Sequence, residues 1–599
     1  MEVAAAGVSF FSLAFQAFQG CIAAYHFCQD VRNIGRDGDL LATRLQIEKF
    51  RLISWASRSG LDGSVPEAKL DWAVINAILR QQQDILSSGD VIKQRYRLAL
   101  PEDAVLDDAG NPSDDRADAT GLTRLLRALR PDLYKHDSGE LKATKNGQLK
   151  KLRWAAADKA ALLQIITDLG LWNTELERQL NVAEQQWLRT GIDALLRELL
   201  SRTSTLDEVT SLRALLEPLV AQSDDALLAA ASFKRLRLYL QVDRREDEVK
   251  PVANKKLADS MPALLCLQTK KLILADGARE DGIVFARDDK VVVLVEWRAA
   301  PELHLKLFTV SMQKFAMLLG SVDKSFATLR CKGLLTIDMP DDKRFGLVYD
   351  LPEQHLSANT KDFEMRNLYD ILGFDLFPLT ERLRIAVTIA EAVQQLHTSG
   401  WLHKNIRPHN VLFLRRPPTD GLVAPTINSP DVAGLDWSGP YLLGYENVRP
   451  DNIEAAAMLT SRSPHALIDD LYRHPDKRGP AGISFRKSFD LYALGCVLVE
   501  LALWQRLVDL FDILCPLDGR KWRDKIATAE RERQNMELPS LIQQLDDKRF
   551  LGHLGHRVSN KYIEAVRLCL RASEDEAVTT DNSVKTHGQI VACLRSCNP

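Results

Sequence analysis

The apolar pattern of this chain changes period near residue 262, and that change limits the folds open to it. Up to about residue 215, apolar side chains recur at spacings of three and four, which puts them on one face of successive helices. The stretches "LLATRLQIEKFRLISWASRSG" (40–60) and "KLDWAVINAILRQQQDILSSG" (69–89) each end at glycine, and "KLRWAAADKAALLQIITDLGLWNTELERQL" (151–180) continues the pattern over a longer run. The acidic, turn-rich "PEDAVLDDAGNPSDDRADAT" between the second and third reads as a solvated loop. Helices from Asn181 to about Leu240 lead into "RREDEVKPVANKK", a charged connector. Beyond 262, "GIVFARDDKVVVLVEWRA" predicts a hairpin turning at "RDDK", with further strands at "FATLRCKGLLTI" and "RFGLVYDLPE". Helical periodicity returns at "TERLRIAVTIAEAVQQLHTSG". Strands followed by helices is the order of a two-lobed α+β domain. The expected class is therefore multidomain: an all-α helical bundle over 1–215, a helical and charged connector over 216–262, and an α+β two-lobed domain over 263–599.

A chain of 599 residues, 46% hydrophobic, can bury several cores, and a net charge of -3 argues against a nucleic-acid or strongly acidic partner. Its nine cysteines include no Cys-x-x-Cys pair, so they read as buried thiols in a reducing, cytoplasmic setting. Cys21 with Cys28, and Cys593 with Cys597, read as packing residues.

The amino-terminal segment stands against that setting. From Val3 to Gln29 there is no Asp, Glu, Lys or Arg, and as a helix this run would extend about 40 Å, enough to cross a bilayer. Glu2 stands where a signal peptide would carry positive charge. Phe11, Phe15, Phe18, Ile22 and Tyr25 fall on one helical stripe, with Ser9, Ser12, Gln16 and Gln19 nearly opposite. Such a segment fits either a bundle or lipid. If lipid is its second environment, Phe10, Phe11, Leu13, Phe15, Phe18 and Ile22 are the contacting residues.

A second feature is "WLHKNIRPHN" (401–410), before the apolar run "VLFL". Leu396-His397, then His403-Lys404-Asn405, Arg407-Pro408 and Asn410, then "SFDLYALGCVLVELALW" (488–504), resemble the catalytic loop and following buried helix of the eukaryotic protein kinase fold. The resemblance implies that Asp490 holds the loop backbone and that His474-Pro475-Asp476 stands where kinases carry Ala-Pro-Glu. It also implies a dead catalyst. Phosphoryl transfer needs a strand lysine paired to a helix glutamate, a carboxylate beside the acceptor hydroxyl and an aspartate on magnesium. Here Arg298 matches the lysine, and the next helix, "LHLKLFTVSMQKFAMLLG", has no Glu. Asn405 stands for the proton acceptor, and its amide takes up no proton at neutral pH. "YLL" runs into Gly444-Tyr445-Glu446 where the metal-binding aspartate belongs, and "ILADGAREDGIVFA" is no glycine-rich phosphate loop. On this reading the domain is a pseudokinase with no cofactor and no metal. Weak ATP contacts at Arg298 and Asn410, without magnesium, stay open. A rival alignment makes Asp436 the metal ligand and the protein an atypical active kinase.

The first 200 residues resemble the HeLo domain of fungal heterokaryon-incompatibility, prion-inhibition and propagation proteins. The carriers are the charge-free start, "GRD" at 35–37, "LQIEKFRLISW", and "RWAAADK" with Trp154, Asp158 and Lys159. That resemblance implies a bundle whose first helix leaves, oligomerises and permeabilises membranes in programmed cell death, an architecture similar to the animal necroptosis pseudokinase executioner. Implied partners are membrane lipids, further copies of the chain, and an upstream activating kinase or receptor, with recruitment from cytoplasm to plasma membrane. His403, Lys404, Asn405, Arg407 and Asn410 then form a loop kept for its shape, and Gly444, Tyr445, Glu446 and Asp490 are the fold or switch positions. Ser461 and Ser463 read as phosphorylation candidates or as ordinary solvated serines. A non-enzymatic adaptor is the other alternative.

Overall fold

The computed structural model describes residues 2–27, 36–62, 70–87, 121–134, 159–220, 225–241, 265–266, 272–274, 283–288, 291–299, 305–339, 342–352, 365–373, 377–414, 435–436, 439–445, 449–450, 467–478, 484–532, 536–576 and 582–597. The chain divides into two compact units, Met1–Gln222 and Ser223–Pro599.

Among the described residues the first unit is helical: α1 (Glu2–Phe27), α2 (Arg36–Ser59), α3 (Trp72–Ser87), α4 (Gly121–Leu129), α5 (Lys159–Arg178), α6 (Val182–Arg202) and α7 (Leu206–Val220). The expected helix over 40–60 is the later part of α2, which stops before Gly60 at φ 75°. Trp154, Asp158 and the acidic loop lie outside the described residues. Leu45, Leu52 and Trp55 of α2 share one core with Ile75 and Leu79 of α3 and Ile165, Ile166 and Leu169 of α5. Polar groups inside this packing are paired. Arg51 bonds Glu177 at 2.9 Å and Glu48 at 3.0 Å, and Asn173 joins Glu48 to Gln82. Losing one partner would leave a buried charge alone, so this cluster fixes the register of α2, α3 and α5. Asp39 of α2 accepts from Leu122 N (2.8 Å) and Thr123 N (2.9 Å), which satisfies the amino-terminal amides of α4.

The second unit begins with a helix that the expected boundary assigns to the connector. Residues 225–241 form α8 (Asp225–Gln241), and its Phe233 and Leu236 are buried in a core of this unit. The charged "RREDEVKPVANKK" lies outside the described residues. Next in the chain is a six-stranded sheet, in the order β1-β5-β6-β4-β3-β2, built from β1 (Leu265–Cys266), β2 (Leu272–Leu274), β3 (Ile283–Asp288), β4 (Val291–Ala299), β5 (Cys331–Met339) and β6 (Asp342–Asp350). The expected hairpin is β3–β4, with Asp288 opposite Val291. Alternation sends Val293, Val295 and Trp297 to one face of β4, while Val292 and Leu294 pack with Met312, Phe315 and Leu319 of α9 (Leu305–Leu319) on the other.

The remainder of this unit is mostly helical: α10 (Leu379–Thr398), α11 (Lys487–Leu503), α12 (Leu507–Leu514), α13 (Trp522–Glu532), α14 (Lys548–Gly555), α15 (Asn560–Glu576) and α16 (Asn582–Arg595). Short strands β7 (Met365–Asn367), β8 (Trp401–Leu402), β9 (Val411–Leu414), β10 (Tyr441–Leu442) and β11 (Arg449–Pro450) lie among them. α11 is buried from Ser488 to Ala502, so its apolar character on all sides belongs to a core helix. α11 and α12 together are apolar enough for a bent span but meet at 79°; among the described residues no single helix is long and apolar enough to cross a membrane.

Inside α11, Glu500 accepts from Tyr472 OH (2.7 Å) and Leu507 N (2.6 Å). Burial pushes its carboxyl from 4.5 up to about 8, with the two hydrogen bonds pulling the other way. The folded chain therefore keeps a proton that the unfolded chain releases. The stabilisation is complete below pH 4.5 and is lost as pH rises through about 8. Chemical denaturation at pH 5 and pH 8.5 should show wild type losing on the order of 3 kcal/mol more than Glu500→Gln, whose amide imitates the neutral acid. Equal losses in the two proteins would count against this assignment.

Candidate functional site

The 401–410 loop leaves α10 through Gly400, at φ 77°, and passes along β8. Lys404 then adopts φ 67°, a left-handed conformation costing a non-glycine residue roughly 1–2 kcal/mol. Asp490, fully buried on α11, holds it there: its carboxylate accepts from His403 N and Lys404 N, both at 2.8 Å. Burial raises the Asp490 carboxyl to about 6, while the hydrogen bonds from the His403 and Lys404 amides favour its charged form. The same carboxylate meets His397 Nε2 at 3.1 Å, and His397 Nδ1 lies 3.3 Å from His587 Nδ1 on α16. His403 is buried too, and desolvation lowers it to about 4. A neutral imidazole thus packs 5.0 Å from the ring of Tyr445.

Asn405 and Asn410 turn toward each other. Asn410 Nδ2 donates to Asn405 O at 2.7 Å, and Asn410 O accepts from Leu443 N at 2.9 Å. Asn405 Nδ2 reaches Gly444 O at 3.5 Å. Gly444 sits at φ 87°, and a Cβ there would lie 2.2 Å from Asn410 Nδ2 and 2.3 Å from its Cγ. The Asn410 amide fills the space a side chain at 444 would need, so no carboxylate fits at that position without displacing it. Among the described residues, no group of three or more His, Cys, Asp and Glu side chains is arranged to hold a metal ion.

Asp436 does not join this pair. Its backbone N donates to Leu414 O at 2.9 Å, at the far end of β9 from Asn410, and four residues of strand amount to about 13 Å. Arg298 pairs through its backbone with Phe345 of β6, and its side chain lies outside the described residues. Arg407 forms an ion pair with Asp469, and Lys404 lies 5.8 Å over the Phe485 ring. These residues line a cavity of about 20 Å³, room for roughly one water molecule. His474 bonds Ser573 Oγ at 2.9 Å and caps Asp476 N. Glu446, Ser461 and Ser463 lie outside the described residues.

Sequence reasoning missed two acids or bases here. Glu296 of β4 is buried and accepts from Tyr349 OH at 2.8 Å. Its signal was present: it shares the parity of Val292 and Leu294, so an acid stands in a buried register. His587 carried no such signal, because only the packing of α16 on α10 brings it to His397.

The second place of interest is the seat of α1. Ala14, Ala17, Phe18, Cys21 and Tyr25 are buried, and Phe11, Phe15 and Ile22 pack partly buried beside them. Leu13 is half-buried, Ser12, Gln16 and Gln19 are exposed, and Phe10 is 39% exposed. The partner is chiefly α3. Phe11 meets Trp72 edge to face at 4.7 Å, Cys21 Sγ donates to Leu79 O at 3.2 Å, and Gly20 lies against Gln83, so the helices run side by side in the same direction. The expected stripe faces the core, and Ser12, Gln16 and Gln19 of the expected polar side face out; the Ser9 side chain lies outside the described residues. Of the proposed lipid contacts, Phe10 is the most exposed.

Residues 5–215 match the HeLo family model, described as prion-inhibition and propagation. The match begins in α1 and ends in α7, before the second unit starts. No curated protein matches the chain. Asp39, Arg51 and the described side chains of the α1 seat all fall within the matched residues.

Proposed function

We propose that this chain is a cell-death effector of the incompatibility type. In it the HeLo bundle delivers α1 to a membrane, and a kinase-like second unit controls that step without transferring phosphate. The observation that carries the reading is the seat of α1, a helix without charge from Val3 onward, laid chiefly along α3 with Ser12, Gln16 and Gln19 exposed. Leaving that seat exposes apolar surface worth on the order of 10 kcal/mol, an amount only another apolar environment offsets. A bilayer is such an environment. The equilibrium is then set by the difference between two burials.

Support for a kinase-like second unit comes from the hairpin-rich sheet with α9 against one face, and from Asp490 holding the loop backbone of His403 and Lys404. Support for its being catalytically silent comes from Asn405 and from the absence of room at Gly444. The 401–410 loop then keeps a shape on which the switch depends. Upstream activators, further copies of the chain in a pore, and movement from cytoplasm to plasma membrane belong to the same proposal.

Dye-filled anionic liposomes test it. Residues 1–222 should release dye about tenfold faster than the full chain, because the second unit no longer restrains them. Phe10→Asp should cut release by residues 1–222 at least about tenfold while costing the bundle about 1 kcal/mol or less, since Phe10 is the most exposed of the proposed lipid contacts at 39%. Intact liposomes with residues 1–222 would refute the membrane role.

A further inference from the structure

We propose that His397 is held as a buried imidazolium at neutral pH, its two N–H groups shared out to Asp490 and His587. The proposal stands independently of whether α1 enters lipid. His397 of α10, Asp490 of α11 and His587 of α16 are each at most 2% exposed and form one row. Asp490 Oδ2 lies 3.1 Å from His397 Nε2, His397 Nδ1 lies 3.3 Å from His587 Nδ1, and His587 Nε2 lies 2.9 Å from Ala390 O.

Each of these three links needs one hydrogen. A carbonyl oxygen only accepts, so His587 Nε2 carries the hydrogen that bonds Ala390 O. With that ring neutral, its Nδ1 is a bare acceptor, and the hydrogen between the two rings belongs to His397 Nδ1. The remaining link needs a hydrogen as well, because a bare His397 Nε2 would set its lone pair against the Asp490 carboxylate. Two neutral imidazoles hold two hydrogens, so a third proton completes the row. It belongs on His397 rather than on Asp490, which already accepts from His403 N and Lys404 N and is stabilised as an anion by them. Charge balance agrees, since a buried carboxylate without a cation beside it is costly.

Other titratable groups on the elements packed around the row have partners of their own. His403 Nδ1 accepts from Asn405 N at 3.3 Å, and the Lys404 ammonium lies over Phe485. Glu500 of α11 accepts from Tyr472, Glu391 of α10 pairs with Arg595 of α16 at 2.6 Å, and Lys561 and Glu564 of α15 lie near Cys593 of α16. The Oδ2 atom that faces His397 also holds His403 N, so the third proton ties α16 to the 401–410 loop. Losing it leaves two hydrogens for three links, and one link opens.

NMR of the full chain, labelled with nitrogen-15 in its histidine rings, tests the proposal. At pH 8 an ordinary histidine is neutral by about thirtyfold, and burial lowers His403, His409 and His474 to about 4. One ring should nevertheless carry hydrogens on both nitrogens, and its signal should vanish in His397→Gln. His587→Leu removes the acceptor for His397 Nδ1 and should lower that ring's titration midpoint by about one pH unit, a tenfold loss of proton affinity and about the worth of one hydrogen bond to a charged group. His587→Gln, whose amide can accept from His397 and donate to Ala390 O, should keep the midpoint within about half a pH unit of wild type. Should the variants not fold, the wild-type spectrum still decides by the presence or absence of that ring. No doubly protonated ring at pH 8, one that survives His397→Gln, or a midpoint indifferent to His587→Leu would overturn the assignment.

Discussion

Gly444→Asp, which writes an aspartate into the position where the kinase resemblance calls for one, should yield a less stable protein with no phosphoryl-transfer activity. The new Cβ would lie 2.2 Å from Asn410 Nδ2, and the backbone sits at φ 87°. The left-handed conformation costs an L side chain about 1–2 kcal/mol, and crowding a filled site costs about 1–3 kcal/mol more. Displaced Asn410 also gives up its hydrogen bond to Asn405 O, leaving a buried donor and acceptor open at roughly 1–3 kcal/mol. Together these predict a loss of about 3–8 kcal/mol in urea denaturation. Gly444→Ala should lose most of the same amount, since the clash begins at Cβ. A Gly444→Asp protein with wild-type stability and measurable transfer of the ATP γ-phosphate would show that the pocket is a kinase site awaiting one residue.

The other large effect is expected at Asp490. Asp490→Ala removes the acceptor for His403 N and Lys404 N and the partner of His397, with Asp490, His403 and His397 all buried. Each orphaned buried donor costs about 1–3 kcal/mol, and Lys404 loses what keeps it at φ 67°. The second unit should therefore lose about 3–5 kcal/mol, and exchange at His403 and Lys404 amides should rise with it. Asp490→Asn keeps one acceptor and should fall between the two. The exposed carboxylate of Asp476 makes a control, and its alanine variant should stay within about 0.5 kcal/mol of wild type. Equal stability of Asp490→Ala and wild type would mean the loop does not depend on this carboxylate.

Much of the architecture was legible because it rests on local periodicity. Val291 to Val295 form the unbroken apolar run of a strand buried on both faces, β3 pairs with β4 where a hairpin is expected, and α2 stops where Gly60 takes the left-handed turn. What the sequence withheld depends on distance along the chain. Nothing local in residues 225–241 distinguishes a connector helix from one whose Phe233 meets Phe326 nearly a hundred residues later. Gly444 and Asn410 each read plainly, but that one excludes a side chain on the other is a matter of 2.2 Å in space. The stripe on α1 was readable. Its partner was not, because Trp72 and Leu79 are ordinary apolar positions on another helix.

The central claim is that α1 leaves α3 to enter lipid, and a reversible lock tests it. A Cβ at Gly20 lies 2.5 Å from Gln83 Cδ, so the two Cβ positions are at most about 5 Å apart, close to the separation a disulfide spans. In residues 1–222 carrying Gly20→Cys and Gln83→Cys, oxidation should abolish dye release from anionic liposomes and dithiothreitol should restore it. Release at the same rate with the bridge closed and open would contradict the account.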